Sequence, residues 1–210
     1  MLRKIAVLGF IILFFLSLAA SPGAQERAPE KRLTELSVPR EKQTILGLYA
    51  TAKEAYAMWQ KNPEEIKMLD CRTPEEYVTS GHPPMAHNVP VRFFTYQFDF
   101  TKNTYVMKEN LDFVPEVRKR FKPTDTLLVI CRSGGRSAVS VNKLAEAGFR
   151  KAYNVVDGFE GDPVKDPESH FEGKYLKNGW KNSGAPWTYQ LDPRLVYSPK
   201  PESPPAGLQK

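Results

Sequence analysis

Leu127-Leu128-Val129-Ile130-Cys131-Arg132-Ser133-Gly134-Gly135-Arg136-Ser137 is the stretch on which the reading of this 210-residue chain turns. Its first four residues are an uninterrupted apolar run, preceded by the turn signal Lys122-Pro123-Thr124-Asp125, which is how a strand buried on both faces reads. After the glycines, Ala138, Val141, Leu144 and Ala145 recur at helical spacing, and Gly148 stands where that helix should stop. Cys131 is therefore expected to leave the carboxyl end of a strand and to face the first turn of a helix.

That placement has chemical consequences. Free amides at a helix N-terminus, together with a turn whose successive N–H groups converge, favour negative charge at one point. A thiol held there ionises more readily, and Arg132 and Arg136 add two cations that support a thiolate and attract an anionic substrate. Gly134 and Gly135 supply the backbone freedom such a cradle needs. A cysteine that merely packs gains nothing from two arginines and two glycines at this spacing, so Cys131 is the candidate nucleophile, with Arg132, Ser133, Gly134, Gly135, Arg136 and Ser137 as its anion-binding loop.

On either side of this stretch, strand-like and helix-like segments alternate, which predicts an α/β fold with an open, mostly parallel sheet covered on both faces. Five strands are expected: Ile45 to Tyr49, Ile66 to Leu69, Ala86 to Val91, Leu127 to Ile130 and Tyr153 to Val156. Ala52, Ala55, Tyr56 and Trp59 define a helix ending near Asn62-Pro63, and another is expected from about Leu111 to Phe121. Thr73-Pro74-Glu75-Glu76 reads as a helix start, with Thr73 as N-cap, Pro74 in the first helical position and Glu76 completing a capping box. Sites in such sheets form beyond the carboxyl ends of the strands, where Cys131 lies. The aromatic stretch Phe93, Phe94, Tyr96, Phe98, Phe100 and Tyr105 is expected to pack as an extra strand or loop over the sheet.

The ends of the chain read differently. Arg3 and Lys4, an apolar run from Ile5 to Leu18 and the small residues Ala19, Ala20 and Ser21 have the layout of an export signal over residues 1–20. The run is shorter than the roughly 20 residues that span a bilayer, so an uncleaved anchor is the lesser alternative. Residues 21–43 are charged and proline-bearing and read as a linker; residues 44–191 hold the domain; residues 192–210 read as a proline-rich, disordered tail. The formal charge is +6. It drops to about +4 without Arg3 and Lys4, too diffuse to argue for nucleic acid. His82, His87 and His170 have no metal-ligand spacing with one another or with the cysteines, so no metal is expected.

Two separated groups of residues carry a family resemblance. Asp70-Cys71-Arg72, Glu76-Tyr77, Gly81-His82 and Ala86-His87-Asn88-Val89-Pro90 form the first; Cys131 through Arg136, with Ser137 opening the next helix, form the second. A weaker third comprises Gly158, Gly161, Trp180, Gly184 and Pro186. Together they resemble the single-domain rhodanese-like sulfurtransferases over roughly residues 44–190. The chain departs from that pattern at Pro83-Pro84-Met85, at Phe159 where a second glycine is usual, and in a polar insertion at 162–177.

The resemblance implies a sulfane-sulfur transfer through a Cys131 persulfide, from an anionic donor such as thiosulfate to a thiol or cyanide-like acceptor, with no metal or organic cofactor. It also implies that Asp70, Arg72 and Glu76 organise the turn beside the site. Cysteine-based phosphatases resemble this loop but have Cys, five residues and then Arg; here the arginine arrives one place early, at Arg136, and a tighter ring of amides suits a single extra sulfur better than a phosphate. The family's sheet order sets the strand ending at Leu69 beside the one ending at Ile130. Cys71 and Cys131 would then share one edge, and in the oxidising compartment that export implies they could form a disulfide, or Cys71 could act as a resolving thiol. A thiol-disulfide redox protein, or a sulfur-sensing or carrier protein, using Cys131 and Cys71 is the alternative function; a catalytically silent binding module is disfavoured by the presence of Cys131. The expected destination is periplasmic or secreted, with a membrane contacted only through an uncleaved signal, and the acceptor is expected to be a small molecule or an exported protein.

Overall fold

The computed structural model of the chain describes residues 38–198; the expected signal at 1–20, most of the linker and residues 199–210 lie outside the described residues. Strand β6 (Thr126–Ile130) is at the centre. Its side chains alternate between two cores: Leu127 and Val129, with Cys131 next in line, join one apolar cluster, whereas Leu128 and Ile130 join the other. All four are fully buried. At about 1.5–3 kcal/mol for each such side chain, this strand contributes more per residue than any half-exposed one can.

The neighbouring strands repeat the alternation. β2 (Ile66–Asp70) sends Ile66 and Met68 to one core and Leu69, with Cys71 beyond it, to the other. With β1 (Tyr49–Ala50), β3 (Ala86–Asn88) and β7 (Ala152–Val155) they form a five-stranded sheet in the order β1-β7-β6-β2-β3, and every pair in it is parallel. One face is covered by α3 (Phe113–Arg118) and α4 (Gly135–Glu146), which contribute Phe113, Val117, Val141 and Leu144 to its core. The other face carries α1 (Ala52–Lys61) and α2 (Pro74–Thr79), through Ala52, Ala55 and Tyr77. The expected α/β architecture, a parallel five-stranded sheet between helices, is thus the one observed. The Thr73–Glu76 capping box is present, and Thr51 and Glu54 make a second one at the start of α1.

Several elements differ from expectation. The first strand starts at Tyr49 rather than Ile45, because Gly47 turns the chain with φ +60° and leaves Ile45 exposed while its N–H donates to Asn142 Oδ1. Regular pairing in β3 ends at Asn88, just before Pro90; Val89 and Val91 still donate to Asp70 and Cys71 carbonyls. Trp180, from the third group of residues that carries the resemblance, opens a short 3-10 turn, Trp180–Asn182.

The aromatic stretch does form extra strands, but they are not joined to the central sheet. It forms a separate antiparallel hairpin, β4 (Arg92–Asp99) with β5 (Thr104–Glu109), whose register slips between Phe94 and Phe98, with Tyr96 at φ +60°. Alternation over only part of its length leaves no full apolar face to bury, which agrees with the half-buried and exposed side chains of β4.

The domain also extends past both expected boundaries. Val38 is buried and the Lys42 carbonyl accepts from Asn154 Nδ2, so the end of the supposed linker is built into the fold. Asn88 N–H donates to Leu195 O and Tyr197 packs on Phe93, so residues 192–198 are part of the body rather than a free tail. The insertion at 162–177 forms a small antiparallel pair, β8 (Asp162–Pro163) with β9 (Tyr175–Lys177).

Candidate active site

Beyond Ile130 the chain turns through Cys131–Gly134 into α4, and two glycines make that turn possible. Gly134 has φ +98°, and a Cβ there would stand 2.1 Å from Val156 O. Gly158 has φ +64°, and its Cβ would meet Arg132 and Ser133 backbone atoms at 2.5 Å. Both clashes are with backbone, so no side chain could move aside to relieve them. The cysteine loop is thereby pressed against the turn after β7 and stitched to it: Phe159 N–H donates to Cys131 O at 2.7 Å, and Glu160 N–H to Arg132 O at 2.9 Å. Gly135 works differently from expectation. It is the first residue of α4, needs no left-handed backbone, and its missing side chain leaves open space over the loop.

Cys131 Sγ sits at the centre of this turn. It accepts from Gly134 N–H at 3.1 Å, and Ser137 Oγ lies 3.3 Å away. Ser137 has one proton and three acceptors, the others being Asn154 Oδ1 at 2.6 Å and Gly134 O at 3.0 Å. Cys71, one residue past the Asp70–Ile130 register pair of β2 and β6, has one proton, which it donates to Ile130 O at 3.2 Å and which can turn to the neighbouring Cys131 when that sulfur is charged. Both protons are drawn to sulfur when it is charged, because a charged acceptor makes the stronger bond. Burial alone would push the Cys131 thiol up; the Cys71 hydrogen bond, the Arg136 charge and Ser137 together outweigh it and hold Cys131 well below its ordinary value. Burial, reinforced by the neighbouring Cys131 charge, pushes Cys71 the opposite way, so it stays a thiol. Neither cysteine is in a disulfide.

The two arginines of the loop have different partners. Arg136 is clamped by Glu76 with Nη1–Oε2 at 2.5 Å and Nη2–Oε1 at 2.6 Å, both side chains mostly buried. Burial opposes the charge on Glu76, but the Arg136 bonds dominate and hold its carboxyl below the ordinary value. Since Glu76 Oε2 also accepts from Thr73 N–H, one carboxylate both caps α2 and fixes the first turn of α4. Arg136 borders the cleft with its charge already shared. Arg132, in contrast, makes no ion pair among the described residues; its guanidinium lies over the Tyr175 ring, 4.3 Å from the centroid, and Nη2 donates to the Tyr175 hydroxyl.

Asp70 and Arg72 are fully buried and joined by a bidentate pair, with Arg72 Nη2 also donating to Gly81 O at 2.8 Å. Coulomb attraction alone rarely offsets the desolvation of such a pair. Here Phe159 adds its ring face, 4.2 Å from the guanidinium, which accounts for an aromatic side chain where the family has glycine. Asn88 Nδ2 ties the Asp70 and Arg72 carbonyls together. These residues hold the β2–α2 turn that delivers Glu76 and touch no part of the cleft.

The sulfur opens into a cleft of about 350 Å³. Its floor is Cys131, Arg132, Ser133, Gly135 and Arg136, and Phe94, Thr104, Tyr105 and Met107 of the β4–β5 hairpin form one wall with Glu76. The loop residues expected from the sequence are thus together. Those that the sequence did not single out are Asn154, Tyr175 and the hairpin wall. Asn154 alone had a signal, an amide in the middle of an apolar strand.

Comparison with known proteins agrees with this geometry. The model of the Rhodanese-like domain matches residues 51–162, which contain both Asp70–Pro90 and the cysteine loop. Thiosulfate sulfurtransferase 16, chloroplastic, of Arabidopsis thaliana is 36% identical over 93 residues, 44% of this chain and 70% of that protein. An uncharacterized protein of Rickettsia prowazekii is 28% identical over 125 residues, 58% of this chain and 82% of that one. The crystal structure of Rv0390 from M. tuberculosis shares the fold with a TM-score of 0.53 at 29% identity, covering 68% of this chain and 99% of that chain. A matching segment longer than half the chain, enclosing both the Asp70–Pro90 motif and the short cysteine loop, establishes that this protein belongs to the rhodanese-like family of sulfurtransferases.

Proposed function

We propose that the protein carries a sulfane sulfur from an anionic donor such as thiosulfate to a thiophilic acceptor by way of a persulfide on Cys131. The observation that carries this reading is the environment of Cys131 Sγ: a buried sulfur that accepts from Gly134 N–H, is held well below its ordinary pKa, and lies on the floor of an open cleft. In the first step the Cys131 thiolate attacks the outer sulfur of thiosulfate. A bond forms between the two sulfurs, the bond to the sulfite group breaks, and sulfite leaves with the electron pair. In the second step an acceptor such as cyanide attacks the terminal persulfide sulfur and departs as thiocyanate, restoring the thiolate. Loop N–H groups stabilise the terminal sulfur's charge as an oxyanion hole stabilises oxygen, and the space over Gly135 leaves room for it. No step needs a metal or organic cofactor.

Replacing Cys131 by Ser should abolish thiosulfate:cyanide transfer, and mass spectrometry of the wild type after thiosulfate alone should show one added sulfur on the Cys131 peptide, removed by cyanide. Transfer at the wild-type rate in Cys131→Ser would overturn the reading.

The register of β2 against β6 favours one second reading, in which Cys71 closes a disulfide on Cys131 and the pair works in thiol-disulfide exchange. Reduced and oxidised samples separate the two: transfer that survives oxidation with both thiols still open to alkylation excludes the redox role. The layout of residues 1–20 further supports export, with an acceptor outside the cytoplasm; the mass of the mature chain from cells tests whether that segment is removed.

A further inference from the structure

Arg132 is the cation of the cysteine loop whose charge no carboxylate shares among the described residues, and its support comes from outside the matched 51–162 segment. We infer that Tyr175, carried by the insertion at 162–177, is a positioning residue that fixes Arg132 as the receptor for the anionic part of the donor. The inference rests on the sulfur-transfer reading for the identity of the donor, but not for its geometry.

Three observations join the insertion to the loop. The Tyr175 ring lies 4.3 Å from the Arg132 guanidinium, and its hydroxyl accepts from Nη2. Both ends of the insertion are anchored: Asn178 Nδ2 donates to Asp162 Oδ2 at 2.9 Å, Lys42 Nζ reaches Asp162 Oδ1 at 3.4 Å, and Gly179 N–H donates to Asp157 Oδ2 at 2.9 Å. The exit of the insertion is then stitched to the turn that stitches the loop, since Trp180 and Lys181 N–H groups donate to Gly158 and Phe159 carbonyls, each at 2.9 Å. Tyr175 is thus held by the same backbone seam that holds Arg132.

An arginine side chain that is free to rotate pays entropy when it binds an anion; one stacked on a ring and bonded at Nη2 has paid it beforehand. Tyr175 does not border the cleft, whereas Arg132 does, so the tyrosine acts through the arginine rather than on the substrate. Arg132 keeps further N–H groups with which to meet the oxyanion end of a donor such as thiosulfate in a forked geometry.

The test compares alkylation of Cys131 by iodoacetate, an anion, and by iodoacetamide, its neutral analogue, in the full chain and in Tyr175→Leu and Tyr175→Phe. Tyr175→Leu should lower the iodoacetate-to-iodoacetamide rate ratio by about 3- to 10-fold with the iodoacetamide rate unchanged, and Tyr175→Phe, which keeps the stacked ring, should recover most of the ratio. In thiosulfate:cyanide assays the same Leu variant should raise KM for thiosulfate by a similar factor, leaving kcat and the KM for cyanide within about twofold. An unchanged ratio in Tyr175→Leu overturns the inference, as does a joint fall of both alkylation rates, which would mean that the insertion supports the loop as a whole. If alkylation responds as expected while no anionic donor transfers sulfur, the positioning role stands and the proposed reaction falls.

Discussion

The floor and the hairpin wall of the cleft over Cys131 are built by opposite means. The floor is a backbone turn around the buried Cys131, pinned by two glycines against Val156 and Arg132 and clamped by an ion pair between α2 and α4. The wall is the β4–β5 hairpin, outside the central sheet. Its lining side chains are half-buried or exposed: Phe94 and Met107 are half-buried, Thr104 is exposed and Tyr105 is 54% exposed. A floor made this way has one conformation and one chemistry. A wall made of such side chains can change without disturbing it, so substrate choice can be altered independently of reactivity.

The harshest test of this contrast is Gly134→Ala. With backbone 2.1 Å from the new Cβ and φ at +98°, the loop must move, and sulfur transfer should fall by more than about 100-fold with a loss of about 2–4 kcal/mol in urea unfolding. Retained activity would show the floor to be pliable.

Next in size is Glu76→Gln, which keeps the capping geometry but leaves Arg136 without its counter-charge; about 2–3 kcal/mol should be lost at neutral pH. The sign with pH follows from the lowered carboxyl. The pair's contribution is fully present above the ordinary value of 4.5 and disappears as pH falls through the lowered one, so the wild type and variant should converge on acidification. Parallel curves at all pH values would deny the pair its role.

Cys71→Ala should have a smaller effect, raising the pH at which Cys131 reacts with iodoacetamide, because one of the groups that lowers its pKa is gone. An unshifted profile would leave Arg136 and Ser137 as the supports of the thiolate. Least affected should be Thr104→Ala, an exposed residue of the hairpin wall, within about 0.5 kcal/mol of wild-type stability. A change several times larger would mean that the wall is core after all.

The same contrast explains what could be read from the chain. The floor was legible because its requirements are local: an apolar run of four, a cysteine, two glycines and a helical repeat fall within about twenty consecutive residues, and period-two and period-3.6 patterns resolve them. Asp70, Arg72 and Glu76 were legible through the family resemblance, but the division of labour was not. That Arg136 is tied up by Glu76 while Arg132 is presented to the cleft depends on contacts across 60 residues in one case and 43 in the other. Gly135 was credited with a backbone role that belongs to Gly134 alone, since dipeptide composition does not say which glycine has positive φ. The hairpin wall and the insertion were least legible: an irregular aromatic repeat and a polar segment carry no periodic signal.

The backbone seam running from Cys131 and Arg132 through Phe159 and Glu160 to Trp180 and Lys181 bears on how the molecule can be divided. The segment matched to the family ends at residue 162, yet a chain cut there would strip the Gly158 and Phe159 carbonyls of their donors, uncover Phe159 beneath Arg72 and remove Tyr175 altogether. The smallest piece able to hold the nucleophile in place therefore reaches beyond the recognisable domain, at least to Lys181.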